Sequence, residues 1–328
     1  MSKLKTTYLG LQLKNPIIVG SSGLTNSVAK IKKLQAAGAG AVVLKSLFEE
    51  QILHEINHQV HTSEGLDHPE ALDYIQNYNR KHSVNEYLEL IKSAKNETTI
   101  PIIASINCFS ANEWVDFAKQ IEAAGADALE LNAFVVNTDK NSVAAEYEEI
   151  YYKIAQVVSD SISIPVSMKL SPYFSNLVQV VDRLSVIGAK GVVLFNRFYE
   201  PDVDINKLTL VSSEILSSPA DIRSSLRWVA IVSDKVSSID VASSTGVHDG
   251  EAVIKQLLVG AQAVQTCSAI YKKGPAAIAE MVQKLSSWMD DKGYSSIEEF
   301  RGSMSYGNMK NPALYERAQF MKYFSDWE

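Results

Sequence analysis

A short pattern recurs along the chain: the end of an amphipathic helix, a Gly-Ala or similar turn, and a brief apolar strand. Glycine at a helix end permits the positive φ angle that terminates the helix, and short all-apolar strands are typical of a parallel sheet covered by helices. Two more strands follow Ile-Pro instead, because proline ends the preceding helix. The glycine form occurs in AAGAGAVVLKS (36–46), AAGADALELNA (123–133), IGAKGVVLFN (187–196) and VGAQAVQTCS (259–268), and the proline form in TIPIIASIN (99–107) and SIPVSMKLS (163–171).

Apolar segments at 17–20 and 238–242 complete a set of eight strands separated by helical patterns. An open doubly wound sheet would also alternate strands and helices, but eight units in 328 residues favour closure. The sequence therefore predicts a TIM (β/α)8 barrel with an N-terminal β-hairpin at 6–14 and a C-terminal helical extension after about Met289. We expect one barrel domain over residues 1–303 and a tail, 304–328, that packs on the barrel or on a partner.

Composition excludes several classes of function. The net charge of −7 gives no basic surface for nucleic acid. The two cysteines form neither a disulfide framework nor a Cys-x-x-Cys pair for a cluster or metal. No apolar run reaches the length of a membrane span. The sequence thus predicts a cytoplasmic protein with no membrane partner.

Polar side chains stand where the predicted strands end, and the carboxyl ends of barrel strands are where active sites form. Lys45 and Lys169 end the second and fifth strands, and a lysine on an apolar strand is costly to bury without an electron-rich partner. Asn132, Asn137 and Asn196 follow strands four and six, and their amides suit a planar heterocycle or a carboxylate. Salt-bridged rim lysines and turn asparagines are the alternative interpretation.

The ends of the last two strands, SSTGVHDG and QTCSAI, are rich in small residues. Small side chains let backbone N–H groups approach a phosphate, and barrels commonly bind phosphate at this corner. The candidates are Thr245, Gly246, Cys267 and Ser268.

The chain resembles the dihydroorotate dehydrogenase family, specifically its soluble class 1 branch. The likeness rests on NPIIVGSSGLT, VVLKS, ELNAFVVN, VSMKLSPYF, LLVGAQAVQTCSAIYKKGPA and KGYSSIEEFRG, which follow the family's order to about residue 303. It implies an FMN-dependent oxidoreductase of the pyrimidine-biosynthesis type, acting on the CH–CH group of a small cyclic substrate, for which a dihydropyrimidine is the candidate. It also implies a homodimer, whereas the lack of a cysteine cluster indicates a diffusible electron acceptor. By the resemblance, FMN would contact Ser22, Gly23, Lys45, Lys169, Thr245, Gly246, Cys267 and Ser268, and substrate would contact Asn132, Asn137 and Asn196, with Lys45 and Asn132 in the catalytic set.

The sequence departs from the family at the catalytic base. The family's Asn-Leu-Ser-Cys-Pro-Asn carries a cysteine that deprotonates dihydroorotate, but the same register here places Val135, which cannot accept a proton. Glu64 and His68 lie on a loop that the resemblance brings over the substrate and are replacement candidates; Cys108 is a further one. We therefore expect negligible dihydroorotate oxidation, or turnover only through an unusual base. The phosphate loop also reads Ser-Ser-Thr-Gly where the family has Gly-Thr-Gly-Gly.

Three other functions remain open. The first is a catalytically silent barrel that binds a flavin or nucleotide. The second is a lyase in which Lys169 forms a Schiff base. The third is zinc chemistry at His54, Glu55 and His58, which match the short His-Glu-x-x-His pattern.

Overall fold

The computed structural model describes residues 3–48, 69–107, 111–133, 135–136 and 138–317, with side chains for all of these except 48, 69–82 and 111–113. In chain order the strands are β1 (Thr6–Tyr8), β2 (Leu11–Leu13), β3 (Ile17–Val19), β4 (Ala41–Val43), β5 (Leu47–Phe48), β6 (Ile102–Asn107), β7 (Ala128–Asn132), β8 (Val166–Leu170), β9 (Gly191–Leu194), β10 (Pro201–Asp204), β11 (Thr209–Ser212), β12 (Asp240–Ser243) and β13 (Ala263–Thr266).

Eight of these strands form a closed parallel barrel, in the order β4-β3-β13-β12-β9-β8-β7-β6, and the pairing of β4 with β6 closes it. The predicted TIM barrel is therefore confirmed. The short strand β5 adds to the edge of β6 beyond the end of β4.

Helices surround the barrel. Apolar side chains from these helices and from the outward faces of the strands form the larger hydrophobic core. None of the helices in the described ranges is long and apolar enough to cross a membrane; the cytoplasmic location stays a prediction. The helices are α1 (Val28–Ala36), α2 (Pro69–Glu97), α3 (Ala111–Ala123), α4 (Ala144–Ser159), α5 (Leu177–Val186), α6 (Ile222–Lys235), α7 (Gly250–Leu258), α8 (Ser268–Lys273), α9 (Ala276–Lys292) and α10 (Ala313–Glu316).

The recurring Gly-Ala pattern ends four helices by the same hydrogen bond. Each glycine has a positive φ, from 94° to 114°. The alanine after it donates its N–H to the carbonyl five residues earlier, as Ala39 does to Leu34 at 3.1 Å and Ala261 to Gln256 at 3.0 Å. This Schellman-type ending turns the chain back toward the barrel, so that each strand starts within one or two residues of the turn. Gly38, Gly125, Gly188 and Gly260 are the four glycines.

The N-terminal hairpin, β1 paired with β2, closes the amino-terminal end of the barrel. Tyr8, Leu9 and Leu13 pack against inward-facing alanine, valine and isoleucine side chains of the strands in a second, inner core. The Leu9 N–H donates to Asp240 at 2.7 Å, at the first residue of β12. The carboxyl ends of the strands, where polar residues were predicted, remain the open mouth.

Two features lie outside the barrel. An antiparallel hairpin, β10 with β11, follows the sixth barrel strand and was not predicted. After α9 the C-terminal extension contains two 3-10 turns, Ile297–Glu299 and Tyr306–Asn308, before α10. The Tyr315 hydroxyl donates to the Met304 carbonyl at 2.6 Å, which folds the extension on itself. The aromatic tail from residue 318 onward lies outside the described residues.

Candidate functional site

A cavity of about 650 Å³ opens at the carboxyl ends of the barrel strands. This volume lies within the range of ligand sites, about 300–1,000 Å³. Its lining contains seven of the eight residues predicted to bind a cofactor: Ser22, Gly23, Lys169, Thr245, Gly246, Cys267 and Ser268, together with the predicted substrate residue Asn196.

Lys169 lies on the floor of this cavity and is only 7% exposed. Its ammonium nitrogen donates to the Gln265 side-chain oxygen at 3.0 Å and lies 3.6 Å from a carboxylate oxygen of Glu130. The strand register places Lys169 directly beside Asn132, so both side chains face the barrel interior at the same height. The pair therefore offers a cation and an amide side by side.

The two described asparagines are joined to each other. The Asn196 amide N–H donates to the Asn132 carbonyl oxygen, and the Asn132 amide donates to the Ser46 hydroxyl at 3.4 Å. Ser46 is itself bonded to the hydroxyls of Ser21 at 3.1 Å and Ser105 at 2.7 Å. Each amide keeps a second N–H outside this network, and Asn196, which lines the cavity, also keeps its carbonyl oxygen. Asn137 lies outside the described residues.

Lys45 and Asn132 are the two predicted site residues of the described ranges that do not line the cavity. Lys45 follows β4 by two positions and is half-buried. Its neighbour Ser46 is buried in the hydroxyl network instead. The contact of Lys45 with a cofactor stays a prediction.

The corner between β12 and β13 has two successive residues with positive φ, Thr245 at 73° and Gly246 at 80°. A positive φ is costly for a β-branched residue, and the Thr245 hydroxyl offsets part of that cost by donating to the Phe195 carbonyl at 3.1 Å. There is no space for a side chain at Gly246, since a Cβ there would lie 2.1 Å from the Ile222 backbone nitrogen. The turn keeps the Gly246 N–H at the cavity wall.

Ser217 completes this corner and was missed by sequence reasoning. Its N–H donates to the Ser268 hydroxyl at 2.9 Å, and its hydroxyl accepts from the Gly246 N–H at 3.4 Å. The same hydroxyl is 3.0 Å from the His248 ring, and the Lys272 ammonium donates to the Ser217 carbonyl at 2.9 Å. Hydroxyls, a backbone N–H and a lysine thus converge where an anion was predicted.

Two titratable groups of this corner have shifted pKa values. Desolvation raises the pKa of the Cys267 thiol, an effect that the charge of Lys169 opposes. Desolvation lowers the pKa of His248, and the charge of Lys272 lowers it further. Both groups therefore favour their neutral forms, which argues against a thiolate at Cys267.

Val135 stands half-buried after the fourth barrel strand. Its carbonyl accepts from the Tyr147 hydroxyl at 2.8 Å, which in turn contacts the Tyr151 hydroxyl at 3.0 Å. Desolvation raises the pKa of Tyr151, so this phenol stays protonated. The other base candidates, Cys108, Glu64 and His68, and the zinc candidates His54, Glu55 and His58 lie outside the described residues.

Glu130 and Gln265 were also missed. Both are buried, inward-facing polar residues on barrel strands, the same signal that singled out the lysines. Ser217 had no such signal because it belongs to an irregular segment, 213–218, between β11 and the 3-10 turn Pro219–Asp221.

An eight-stranded parallel barrel with a polar cavity at its carboxyl end is the architecture of a ligand-binding enzyme. The sequence profile described as dihydroorotate dehydrogenase matches residues 3–289. The chain therefore belongs to the dihydroorotate dehydrogenase family, a family of oxidoreductases.

Individual relatives agree with this assignment. The chain is 28% identical over 313 residues to the catalytic subunit of dihydroorotate dehydrogenase B (NAD(+)) from Thermoplasma volcanium, covering 92% of this chain and 98% of the relative. It is 29% identical over 305 residues to dihydroorotate dehydrogenase A (fumarate) from Limosilactobacillus reuteri, covering 90% and 96%. A third relative, from Bacillus pumilus, is again named as a dihydroorotate dehydrogenase B catalytic subunit and is 28% identical over 300 residues, covering 89% and 94%.

Proposed function

We propose that this protein is an FMN-dependent oxidoreductase that removes a hydride from the CH–CH group of a small cyclic substrate at the mouth of the barrel. The observation that carries the proposal is the 650 Å³ cavity, whose lining includes both Lys169 and the Thr245–Gly246 corner. A flavin mononucleotide has the matching chemistry, with an electron-poor ring at one end and a phosphate at the other.

The donor set of the cavity fits this group. The Ser217 and Ser268 hydroxyls line the cavity and suit a phosphate. The Gly246 N–H and the Lys272 ammonium, which both bind Ser217, add a donor and a positive charge beside them. Gly23 has no side chain, and a Cβ there would lie 2.9 Å from the Tyr271 hydroxyl, so the backbone stays accessible at the cavity wall.

Bound FMN would supply the two-electron acceptor, and the residues of this chain would do the rest. Lys169 would place a positive charge against the ring oxygens, which favours charge that develops there on reduction. Asn132 and Asn196 would orient a planar polar substrate through their remaining N–H groups and the Asn196 carbonyl. Burial at the barrel mouth would exclude bulk water from both partners.

Val135 makes dihydroorotate a poor substrate in this proposal, because the aliphatic side chain cannot take a proton from the substrate. General bases contribute about 10²–10⁴-fold to such reactions. We expect reduction of the bound flavin by dihydroorotate to be slower than in an enzyme with a base by about that factor.

The test begins with a visible absorption spectrum of the purified protein, followed by anaerobic titration with dihydroorotate. We expect a flavin spectrum that dihydroorotate bleaches slowly or not at all. A colourless protein that does not take up added FMN would overturn the flavin proposal. Fast bleaching would support the flavin proposal and refute the argument from Val135.

A Val135→Cys variant sharpens this test, since it supplies a thiol at the position where the family's motif carries one. We expect the variant to bleach faster than the wild-type protein, by up to about 10²-fold. A Val136→Cys variant is the matched control, because Val136 is the exposed neighbour of Val135. Equal rates for all three proteins would show that the missing base does not limit the reaction.

The oxidised flavin must be regenerated by an electron acceptor, and we propose a diffusible one. The names of the relatives specify NAD(+) in one group and fumarate in the other. Anaerobic mixing of dithionite-reduced protein with each acceptor would test both. Rapid reoxidation by either compound supports a diffusible acceptor. If neither of them nor a small quinone reoxidises the protein, the proposal of a diffusible acceptor is contradicted.

We further propose that two copies of the chain associate through the β10–β11 hairpin. Ile205, Leu208 and Leu210 of this hairpin are 79%, 84% and 73% exposed, which is unusual for large apolar side chains on neighbouring positions. Sedimentation at several concentrations should give a dimer that Leu210→Asp weakens. Val186→Asp, at an equally exposed but isolated apolar position in α5, should have no effect. A wild-type monomer at all concentrations would refute the dimer.

A further inference from the structure

A buried carboxylate lies directly beneath the cavity floor. Glu130 is 1% exposed and belongs to β7. One of its oxygens accepts from the Gln265 side-chain N–H at 2.6 Å, and the other lies 3.6 Å from the Lys169 ammonium. Burying a charged group costs several kcal/mol unless it is paired, so the position of Glu130 requires a physical reason.

The reason is found in the orientation of Gln265. An amide has a donor end and an acceptor end, whereas an ionised carboxylate can only accept. Because the Gln265 nitrogen faces Glu130, its oxygen must face the other way, and it accepts from Lys169 at 3.0 Å. Glu130 therefore decides which end of the amide the lysine meets.

The Gln265 amide fits here only because Gly20 carries no side chain. A Cβ on Gly20 would lie 3.2 Å from the Gln265 oxygen and 3.0 Å from the Cys267 sulfur. The end of β3 thus approaches the amide closely, and Gln265 has little freedom to turn.

We propose that Glu130 and Gln265 are positioning residues that hold the Lys169 ammonium at the cavity floor, with its remaining N–H directed at an electron-rich ring atom of the ligand. An ammonium has three N–H groups in fixed tetrahedral directions. One donates to Gln265, and the Glu130 oxygen at 3.6 Å forms an ion pair that is too long for a hydrogen bond, so N–H capacity remains for a ligand in the cavity that Lys169 lines. The ligand is the flavin of the proposed function, and only this part of the inference rests on that proposal.

The first test measures the reactivity of Lys169 in flavin-free protein. Acetylation with acetic anhydride, followed by peptide mass spectrometry, gives its rate relative to the exposed Lys153. In Glu130→Gln the residue at 130 no longer enforces the amide orientation, and we expect Lys169 to react at least about tenfold faster, a factor that corresponds to about 1.4 kcal/mol. Glu149→Gln, which removes an exposed carboxylate paired with Arg183, is the control and should leave the rate unchanged.

The second test uses Gln265→Met, which keeps the side-chain length and the charge of the site but removes both the oxygen that accepts from Lys169 and the N–H that donates to Glu130. We expect Lys169 to move toward Glu130, so that the flavin bound to this variant has a lower reduction potential than in the wild type. A change that only loosened the fold would lower the melting temperature and leave the potential of the retained flavin unaltered.

The outcomes separate the two proposals. If both variants fold and Lys169 reacts within about twofold of the wild-type rate, with an unchanged potential in Gln265→Met, the positioning role is refuted while the flavin proposal stands. If the wild-type protein binds no FMN, the flavin proposal fails, and the acetylation rates in the flavin-free proteins still support or refute the positioning of Lys169.

Discussion

Gly246 forms the tight turn at the proposed phosphate corner, and its replacement by alanine should be among the most damaging single changes in the chain. Its φ of +80° is left-handed, which costs an L-residue about 1–2 kcal/mol. A Cβ there would also lie 2.1 Å from the nitrogen and 2.6 Å from the Cα of Ile222. These are backbone atoms at the start of α6 that cannot rotate away, and overpacking of this kind adds about 1–3 kcal/mol. We therefore expect Gly246→Ala to lower the free energy of unfolding by about 2–5 kcal/mol.

Gly125 provides the matched control. Its φ is +94°, yet a Cβ there would meet no atom within 4 Å. Gly125→Ala should therefore show only the backbone cost of about 1–2 kcal/mol. Urea denaturation of the flavin-free proteins, with the unfolding free energy taken from the midpoint and slope, measures both changes. Equal losses in the two variants would refute the reasoning, because the contact with Ile222 would then contribute nothing.

Two further changes test the surroundings of the site. Folding lowers the pKa of His248, so the folded protein resists protonation of this ring. The unfolded protein takes up the proton below the ordinary pKa of about 6.5, and the free energy of unfolding therefore decreases as pH falls below that value. Urea denaturation at pH 7.5 and pH 5 should therefore show a larger loss for the wild type than for His248→Gln, and parallel losses would contradict this. Tyr147→Phe removes the hydrogen bond to the Val135 carbonyl, and we expect it to cost about 0.5–1.5 kcal/mol in the same assay. An unchanged midpoint would show that water replaces this bond at no cost.

The barrel could be predicted because its determinants are local. A glycine that ends a helix, as at Gly38 and Gly260, and the apolar strand that follows act within about ten residues. Eight such units leave few alternatives to a closed parallel sheet. The same logic placed Lys169, Asn132 and Asn196 at the mouth, because strand ends in a parallel barrel share one side.

The β10–β11 hairpin was missed because its strands lie on the surface. Residues such as Asp202 and Lys207 interrupt its apolar pattern, and no buried face imposes a clean alternation. Its existence depends on pairing between the two strands rather than on a strong pattern in either one.

The partners of the site residues were not predictable from the sequence. Glu130 and Gln265 are 135 positions apart, and only closure of the barrel brings them together. Ser217 reaches the proposed phosphate corner because Arg197 binds the carbonyls of Glu214 and Ile215 and so shapes the segment that carries it. Such contacts depend on which irregular segments cross the mouth.

The sequence by itself therefore determined the number and order of the barrel strands and which side chains stand at their ends, since helix stops and apolar strands are encoded residue by residue. Only the tertiary structure decided how those side chains are held: which amide end meets Lys169, that Asn132 and Asn196 bind each other, and that Lys45 lies apart from the cavity lining. The reason is physical. Hydrogen-bond direction and desolvation in the barrel depend on groups from distant strands that meet only when the sheet closes.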